Sequence, residues 1–249
     1  NDHGLIGATE ALAAIHFPKD LGQLEKAQKR LRFEELFFIQ LQLLQKKLEH
    51  RKQFKGHLFD MVGDFFNSFY NNHLPFSLTD AQKRVIKKIR SDFGSGAQMN
   101  RLLQGDVGSG KTIVAFLSAL IALDNQMQAT IVAPTEILAQ QHYQTLSQLA
   151  APLGLTIKLL TGATKTAERK EIHAQLQSGE LQLLVGTHAV LEPNVHFQNL
   201  GFAIIDEQHR FGVAQRAKLW KKNQIPPHIL VMTATPIPRT LAMTLYGDL

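Results

Sequence analysis

Arg101-Leu-Leu-Gln-Gly-Asp-Val-Gly-Ser-Gly-Lys-Thr112 is the stretch of sequence that decides the fold. It fits the pattern G-x-x-x-x-G-K-[ST] of a phosphate-binding loop through Gly105, Gly110, Lys111 and Thr112. Glycine allows backbone angles that other residues resist, so successive N–H groups can point at one anion. An apolar strand end precedes the loop, and an apolar helical run follows it, whose N-terminus adds partial positive charge. The stretch therefore predicts a nucleotide-binding domain.

The residues of this loop have separate predicted tasks. Lys111 would bridge the β- and γ-phosphates of a nucleotide, and the Thr112 hydroxyl would ligate Mg²⁺. Backbone amides of the loop would surround the phosphates. The predicted nucleotide-binding residues of the loop are Gly105, Asp106, Val107, Gly108, Ser109, Gly110, Lys111 and Thr112.

Gln82 lies upstream of the loop, in the run Leu78-Thr79-Asp80-Ala81-Gln82. A glutamine amide has both a donor and an acceptor, so Gln82 could pair with N6 and N7 of adenine. The alternative is an ordinary exposed helix residue. The sequence lacks the Asn-Lys-x-Asp motif that reads guanine in GTPases. The predicted nucleotide is therefore ATP.

From residue 76 onward, short apolar runs alternate with helical patterns. The apolar runs are 130–133, 156–160, 181–185, 202–205 and 229–232, and the helical patterns are 81–92, 136–149, 167–176 and 214–222. Continuous apolar strands with helices between them predict an α/β fold, a parallel sheet covered by helices on both faces. Ligands of such sheets bind at the carboxyl ends of the strands.

Residues 1–75 have a different, helical character, and we predict a helical extension over 1–75 and a nucleotide-binding domain over 76–249. Apolar residues at helical spacing predict a long helix over 23–50 and a second helix after Gly56. The first stripe is Phe37, Leu41, Leu44 and Leu48, and the second is Leu58, Val62, Phe65, Phe66 and Phe69. Helix–helix packing is the simplest interpretation of both stripes. The basic residues over 46–55 are either a solvated face or a DNA contact.

An apolar strand ends in two adjacent carboxylates at Asp206-Glu207-Gln208-His209. Asp206 would hold Mg²⁺, through water, opposite the Thr112 hydroxyl. Glu207 is then placed to orient and deprotonate the water that attacks the γ-phosphate. The alternative is a capping pair of carboxylates before the next helix.

Three other strands also end in hydroxyl or small residues. Ala133-Pro134-Thr135-Glu136 and Gly186-Thr187-His188 each open a helix, where amides and hydroxyls either bind phosphate or only cap the helix. Thr233-Ala-Thr235-Pro-Ile-Pro238 combines two hydroxyls with two prolines. Because prolines stiffen the chain, a hydroxyl near the γ-phosphate could transmit the state of that phosphate.

Composition excludes several classes of protein. The formal net charge of +6 suits a polyanionic partner, though only weakly. The absence of cysteine excludes a disulfide framework and suggests a reducing compartment. No apolar run reaches the roughly 18 residues of a membrane span, so we expect no membrane partner. The sequence has no H-E-x-x-H metal motif, and His142, His173 and His196 are interpreted as surface or packing residues.

Taken together, these clusters resemble motifs I, Ia, Ib, II and III of superfamily 2 helicases, in order and with the spacing of that family. Gln82 resembles the adenine-reading glutamine of the family. More narrowly, Asp206-Glu-Gln-His-Arg-Phe-Gly-Val213 and Thr233-Ala-Thr-Pro-Ile-Pro-Arg-Thr-Leu-Ala-Met243 resemble the RecG family of bacterial branched-DNA translocases. His16-Phe-Pro18 and Arg32-Phe-Glu-Glu-Leu36 are similar to the segment that joins wedge and motor domains in that family.

This resemblance implies a RecA-like, P-loop NTPase fold and ATP-driven remodelling of forked or branched duplex DNA, in the bacterial cytoplasm, with ATP and Mg²⁺ as cofactors. It implies catalytic roles for Lys111, Asp206, Glu207, Gln208 and His209. It also implies that Thr233 and Thr235 couple the γ-phosphate to DNA. The implied contacts with the DNA backbone are Pro134, Thr135, Glu136, Gly162, Thr187 and His188.

The sequence also departs from the family pattern. It begins at Asn1 and ends soon after motif III, so we expect a fragment that lacks the second RecA-like domain, with its arginine finger, and the wedge domain. We expect such a fragment to bind Mg-nucleotide weakly, to hydrolyse it barely and not to translocate. Two alternatives stay open, a transcription-repair coupling factor and a non-catalytic nucleotide-binding module. Gln208 disfavours the first, which usually has Glu there, and Glu207 disfavours the second.

Overall fold

A computed structural model of the chain describes residues 4–53, 55–206, 219, 222–223 and 225–235. They form two compact units, residues 4–50 and residues 51–235. The helices are α1 (Ala8–His16), α2 (Leu21–Gln53), α3 (Asp64–Ser68), α4 (Asp80–Phe93), α5 (Lys111–Asp124), α6 (Glu136–Ala150) and α7 (Thr166–Ser178). The strands are β1 (Asn100–Gln104), β2 (Gln128–Val132), β3 (Ile157–Leu160), β4 (Leu183–Gly186), β5 (Leu200–Asp206) and β6 (His228–Thr233).

The first unit consists of α1 and most of α2. Its small core joins Ala11 and Ala14 of α1 to Ala27 of α2. The apolar stripe on α2 is exposed by about half, for example Phe37 by 50% and Leu48 by 59%. The packing predicted for this stripe is therefore not found among the described residues. A helix of 33 residues is about 50 Å long, and the nine-residue α1 is too short to cover it.

The second unit is built on a sheet of six parallel strands in the order β1-β6-β5-β2-β4-β3. Alternate residues of β5 point to opposite faces, with Phe202 and Ile204 in one core and Ala203 and Ile205 in the other. Helices α4, α5 and α6 contribute to the first core and α7 to the second. The predicted α/β fold, with helices on both faces of a parallel sheet, is confirmed.

The predicted strands and most of the predicted helices lie within a few residues of the observed ones. The helix predicted over 214–222 falls almost entirely outside the described residues. The boundary predicted after residue 75 stays a prediction, but the compact unit already begins at residue 51. Among the described helices, none combines the length and hydropathy needed to span a bilayer.

The second predicted helix is shorter than expected, because residues 57–63 are not helical. Their backbone is bonded elsewhere: the Gly56 N–H donates to the Gly96 carbonyl, and the Phe59 N–H donates to the Phe93 carbonyl. The helix begins only at Asp64, where the buried Asp124 carboxylate accepts hydrogen bonds from three backbone N–H groups. These belong to Gly63, Phe65 and Phe66, at 2.8, 2.9 and 3.2 Å. A carboxylate from α5 therefore caps α3, which helical periodicity alone could not indicate.

His228 joins this N-terminal segment to the start of the sheet. Its Nδ1 accepts from the Met99 N–H at 2.9 Å, and its Nε2 donates to the His57 carbonyl at 2.8 Å. The ring also lies 4.9 Å from both Phe59 and Phe93. This environment satisfies the neutral imidazole, and burial lowers the pKa of His228 from 6.5 to about 4.

This burial predicts a loss of stability in acid. Since the pKa of His228 is lower in the folded state, its stabilising contribution is complete above pH 6.5 and is lost as pH falls towards about 4. The shift corresponds to about 3 kcal/mol. Denaturant unfolding between pH 7.5 and 4 should show this loss in the unaltered chain and not in His228→Gln. The exposed His73→Gln variant should keep the original pH dependence, and an unchanged slope in His228→Gln would contradict the assignment.

Candidate nucleotide-binding site

Three strands of the sheet place the main predicted site residues at one edge. The last residue of β1, Gln104, pairs with Thr233 at the end of β6. On the other side of β6, Asp206 at the end of β5 pairs with Met232. Adjacent strands lie about 4.8 Å apart, so the ends of β1 and β5 are separated by about 10 Å. The loop after β1, the hydroxyl of Thr233 and the carboxylate of Asp206 are therefore neighbours.

The loop between β1 and α5 has the conformation that its glycines allow. Gly108 and Gly110 have φ values of +80° and +79°, in the left-handed region that favours glycine. Within the described residues, the backbone N–H groups of Gly108, Gly110, Lys111 and Thr112 donate to no other protein atom. Unpaired N–H groups at a helix N-terminus fit the oxygens of a phosphate.

The Lys111 side chain folds back onto the loop that precedes it. Its ammonium donates to the carbonyl of Gly105 at 2.7 Å and to the carbonyl of Asp106 at 2.9 Å. Both acceptors belong to the loop itself, so the positive charge of Lys111 lies at the loop. The position fits the predicted phosphate-binding role of Lys111.

Thr233 connects the end of β6 directly to the loop. Its carbonyl accepts from the Gly105 N–H at 3.2 Å, and its hydroxyl lies 2.8 Å from the hydroxyl of Thr235. The Thr235 N–H also donates to the Thr233 hydroxyl at 3.2 Å. The two threonines predicted to couple the γ-phosphate to DNA thus contact each other, and Thr233 also contacts the first glycine of the loop.

Gln82 contacts the loop from the other side. Its Oε1 accepts from the Thr79 N–H at 2.9 Å, which completes a reciprocal N-terminal cap of α4. Its Nε2 donates to the Ser109 carbonyl at 2.9 Å. Both ends of the amide are thereby used within the chain. Adenine reading by Gln82 stays a prediction, and the structure adds a direct bond between α4 and the loop.

Asp206 is buried, with 8% of its surface exposed. Its Oδ2 accepts a hydrogen bond from Nε2 of His142, on α6, at 2.6 Å. The sequence context of His142 indicated only a surface or packing residue, so this contact was not predicted. The helix of His142 and the strand that ends at Asp206 were both predicted, but the contact between them was not.

A comparison with protein families decides the class of the protein. The family model "DEAD/DEAH box helicase" matches residues 79–244. The chain belongs to the DEAD/DEAH box helicase family.

The helicase chain is also similar to curated bacterial proteins. It is 53% identical to the ATP-dependent DNA helicase RecG of Synechocystis sp., over 98% of this chain and 29% of that protein. It is 46% identical to the RecG proteins of Streptococcus pneumoniae and Thermotoga maritima, over 98% of this chain and 36% and 31% of theirs. The chain therefore spans about a third of the length of these relatives.

Solved structures agree with this similarity. A structure of RecG bound to a three-way DNA junction superposes with a TM-score of 0.82 and 43% identity, over 99% of this chain and 33% of that one. The DUF1998 helicase MrfA superposes with a TM-score of 0.58 at 20% identity, over 76% of this chain and 32% of that one. At that identity, MrfA supports the fold alone.

The remaining predicted helicase motifs lie at the ends of β2, β3 and β4. Thr135 caps α6 by accepting from the Leu138 N–H at 3.3 Å. Glu136 Oε1 accepts from the Ala163 N–H at 3.2 Å, next to Gly162 in the loop after β3. The hydroxyl of Thr187 is buried and has no partner among the described residues. Of the predicted helicase residues, Glu207, Gln208 and His209 lie outside the described part.

Gly110 of the helicase loop provides a test of the local geometry. A Cβ at Gly110 would lie 2.4 Å from Gln82 Nε2, whereas a Cβ at Gly154, with φ of +64°, would meet nothing within 4 Å. In both Gly→Ala variants, left-handed strain should lower the free energy of unfolding by about 1–2 kcal/mol. The decrease should be larger in Gly110→Ala, because Gln82 must also move away, and this variant should bind nucleotide more weakly. Chemical denaturation and nucleotide titration measure both effects, and equal losses in the two variants would contradict the contact.

Lys111 provides the second test. In a full-length helicase that contains this chain, Lys111→Ala should abolish ATP hydrolysis, because the ammonium at the loop is removed, and should leave DNA binding largely intact. ATPase and DNA-binding assays at one salt concentration check this. Lys170→Ala, an exposed position on α7, is the control and should change neither quantity. Equal loss of DNA binding in Lys111→Ala would mean misfolding or a wrong assignment.

Proposed function

We propose that this chain is the nucleotide-binding part of an ATP-dependent DNA helicase or translocase. The activity that we propose is remodelling of branched DNA, such as stalled forks and Holliday junctions, in recombination and repair. The observation that supports this best is the similarity to RecG, with a TM-score of 0.82 over 99% of the chain to a RecG bound to a three-way junction.

The geometry of the loop supports ATP as the nucleotide. The unpaired amides around Gly108 and Gly110 and the Lys111 ammonium together fit a polyphosphate. We infer that Gly105, Asp106, Val107, Gly108, Ser109, Gly110, Lys111 and Thr112 bind the phosphates and that Gln82 reads the adenine.

A hydroxyl and a buried carboxylate form a donor set that suits Mg²⁺. Asp206 ends β5 at the same sheet edge as the loop that precedes Thr112. These two residues would hold the ion, which neutralises charge on the β- and γ-phosphate oxygens when bound.

We assign the chemical step to the carboxylate that follows Asp206. Glu207 would orient the attacking water and take its proton. Changes at the γ-phosphate would be coupled to DNA binding by Gln208, His209, Thr233 and Thr235. The contact between the Thr233 carbonyl and the Gly105 N–H supports this route, because it joins the coupling motif to the loop.

The loops at the far strands are the proposed DNA-binding surface. These loops follow β2, β4 and β3, the three strands farthest from β1 in the sheet. Their proposed DNA-binding residues are Pro134, Thr135, Glu136, Gly162, Thr187 and His188. Backbone amides and exposed hydroxyls in such loops suit phosphate oxygens, which contain no sequence information; the Thr187 hydroxyl itself is buried. We therefore expect recognition of DNA structure rather than of base sequence.

The proposed partners include further domains of a longer chain, since this chain matches about a third of each RecG relative. A second RecA-like domain would supply an arginine finger, and a wedge domain would bind the DNA junction. The proposed location is the bacterial cytoplasm. An arginine finger raises the rate of turnover by about 10³–10⁵-fold. The isolated chain should therefore hydrolyse ATP far more slowly than the full-length protein.

Turnover with different DNA substrates tests the proposal. We expect forked DNA to stimulate ATP hydrolysis by the full-length protein much more than linear duplex of equal length. Both must be measured at one salt concentration, because phosphate contacts make affinity steeply dependent on salt. Equal stimulation by fork and duplex would instead favour a general duplex translocase of the coupling-factor type. No turnover with any DNA would favour a non-catalytic nucleotide-binding module.

A further inference from the structure

His142 connects the two proposed binding surfaces of the helicase. It lies on α6, seven residues after Thr135, and its Nε2 is 2.6 Å from Oδ2 of Asp206. Only 12% of the His142 side chain and 11% of the Asp206 side chain are exposed. A short hydrogen bond at such a depth restricts both side chains far more than a surface contact would.

We propose that His142 is a positioning residue: it holds the Asp206 carboxylate in place and makes α6 a mechanical link from the DNA-contacting loop after β2 to the nucleotide site. The proposal rests on the function proposed above, because it needs DNA at the N-terminal end of α6 and nucleotide near the middle of the helix.

The hydrogen bond defines the orientation of the carboxylate. An ionised carboxylate only accepts, so Nε2 of His142 donates and Oδ2 of Asp206 is the acceptor. The carboxylate plane is then restrained from one side by α6. Removal of outer-shell hydrogen-bond partners at a metal site typically changes metal affinity or activity by about 10–100-fold.

The N-terminal end of α6 is joined to the proposed DNA-binding loops. Thr135 caps the helix, and Glu136 Oε1 accepts from the Ala163 N–H in the loop after β3. Seven residues of helix place His142 about 10 Å along the axis from Thr135. Because a short α-helix moves as a rigid body, a shift of these loops on DNA would displace His142 and with it the Asp206 carboxylate.

Three substitutions in the full-length protein test this link. His142→Ala removes the donor without disfavouring the helix, and His142→Gln returns an amide donor at a similar distance from the backbone. Gln144→Ala, an exposed position on the same helix, is the matched control. Two quantities are measured: the Mg²⁺ concentration for half-maximal binding of a fluorescent non-hydrolysable ATP analogue, and the ratio of ATP turnover with and without forked DNA.

We expect His142→Ala to raise the half-maximal Mg²⁺ concentration about tenfold and to lower the DNA stimulation ratio, with both restored towards the unaltered values in His142→Gln. Gln144→Ala should change neither. An unchanged Mg²⁺ dependence in His142→Ala, or equal impairment in His142→Gln, would overturn the proposal. If the unaltered protein shows no DNA stimulation, the proposed function fails, while the Mg²⁺ shift still decides whether His142 positions Asp206.

Discussion

Hydrogen bonds between the parallel strands β1, β6 and β5 place three otherwise separate segments side by side. A parallel sheet aligns the carboxyl ends of its strands at one edge, so the predicted phosphate-binding loop, Thr233 and Asp206 become neighbours. The alignment persists because both faces of the sheet are buried, with alternate residues of each strand in separate cores. Removing either covering layer would expose apolar strands to water, so the site depends on packing well away from it.

Helix α5 anchors the loop to the buried core of the domain. Every residue from Ile113 to Asp124 is buried, so the helix that follows the loop is enclosed on all sides. At its far end, the Asp124 carboxylate caps α3 and thereby attaches the segment before α4 to the domain. Near this segment, His228 bonds to the backbone of Met99 and His57. Two buried polar groups, each with its hydrogen bonds made, therefore join the N-terminal segment to the sheet.

The loop is bonded to its surroundings from two directions. From α4, the Gln82 side chain donates a hydrogen bond to the Ser109 carbonyl. On the other side, the Gly105 N–H donates to the carbonyl of Thr233, which ends β6. Gln82 and Thr233 both belong to predicted helicase motifs, so under the proposed function a change in the loop on binding nucleotide would alter a hydrogen bond to another motif. His142 makes a comparable bond from α6 to Asp206, which ends β5 and is not part of the loop. Under the proposed function, such short connections would be the physical means of coupling phosphate chemistry to movement.

Local sequence determined the parts of this protein that depend on periodicity and spacing. The apolar runs and the glycine pattern predicted the parallel sheet, the loop and the end of β5 at Asp206, because these follow from backbone geometry and burial of adjacent residues. The tertiary structure alone decided which distant groups meet. The pairing of His142 with Asp206, the cap that Asp124 provides for α3, and the bond from Phe59 in the non-helical segment 57–63 to Phe93 all join segments far apart in the chain. A hydrogen bond between such segments has no periodic signature, since it is set by how helices pack on the sheet rather than by the neighbours of each residue.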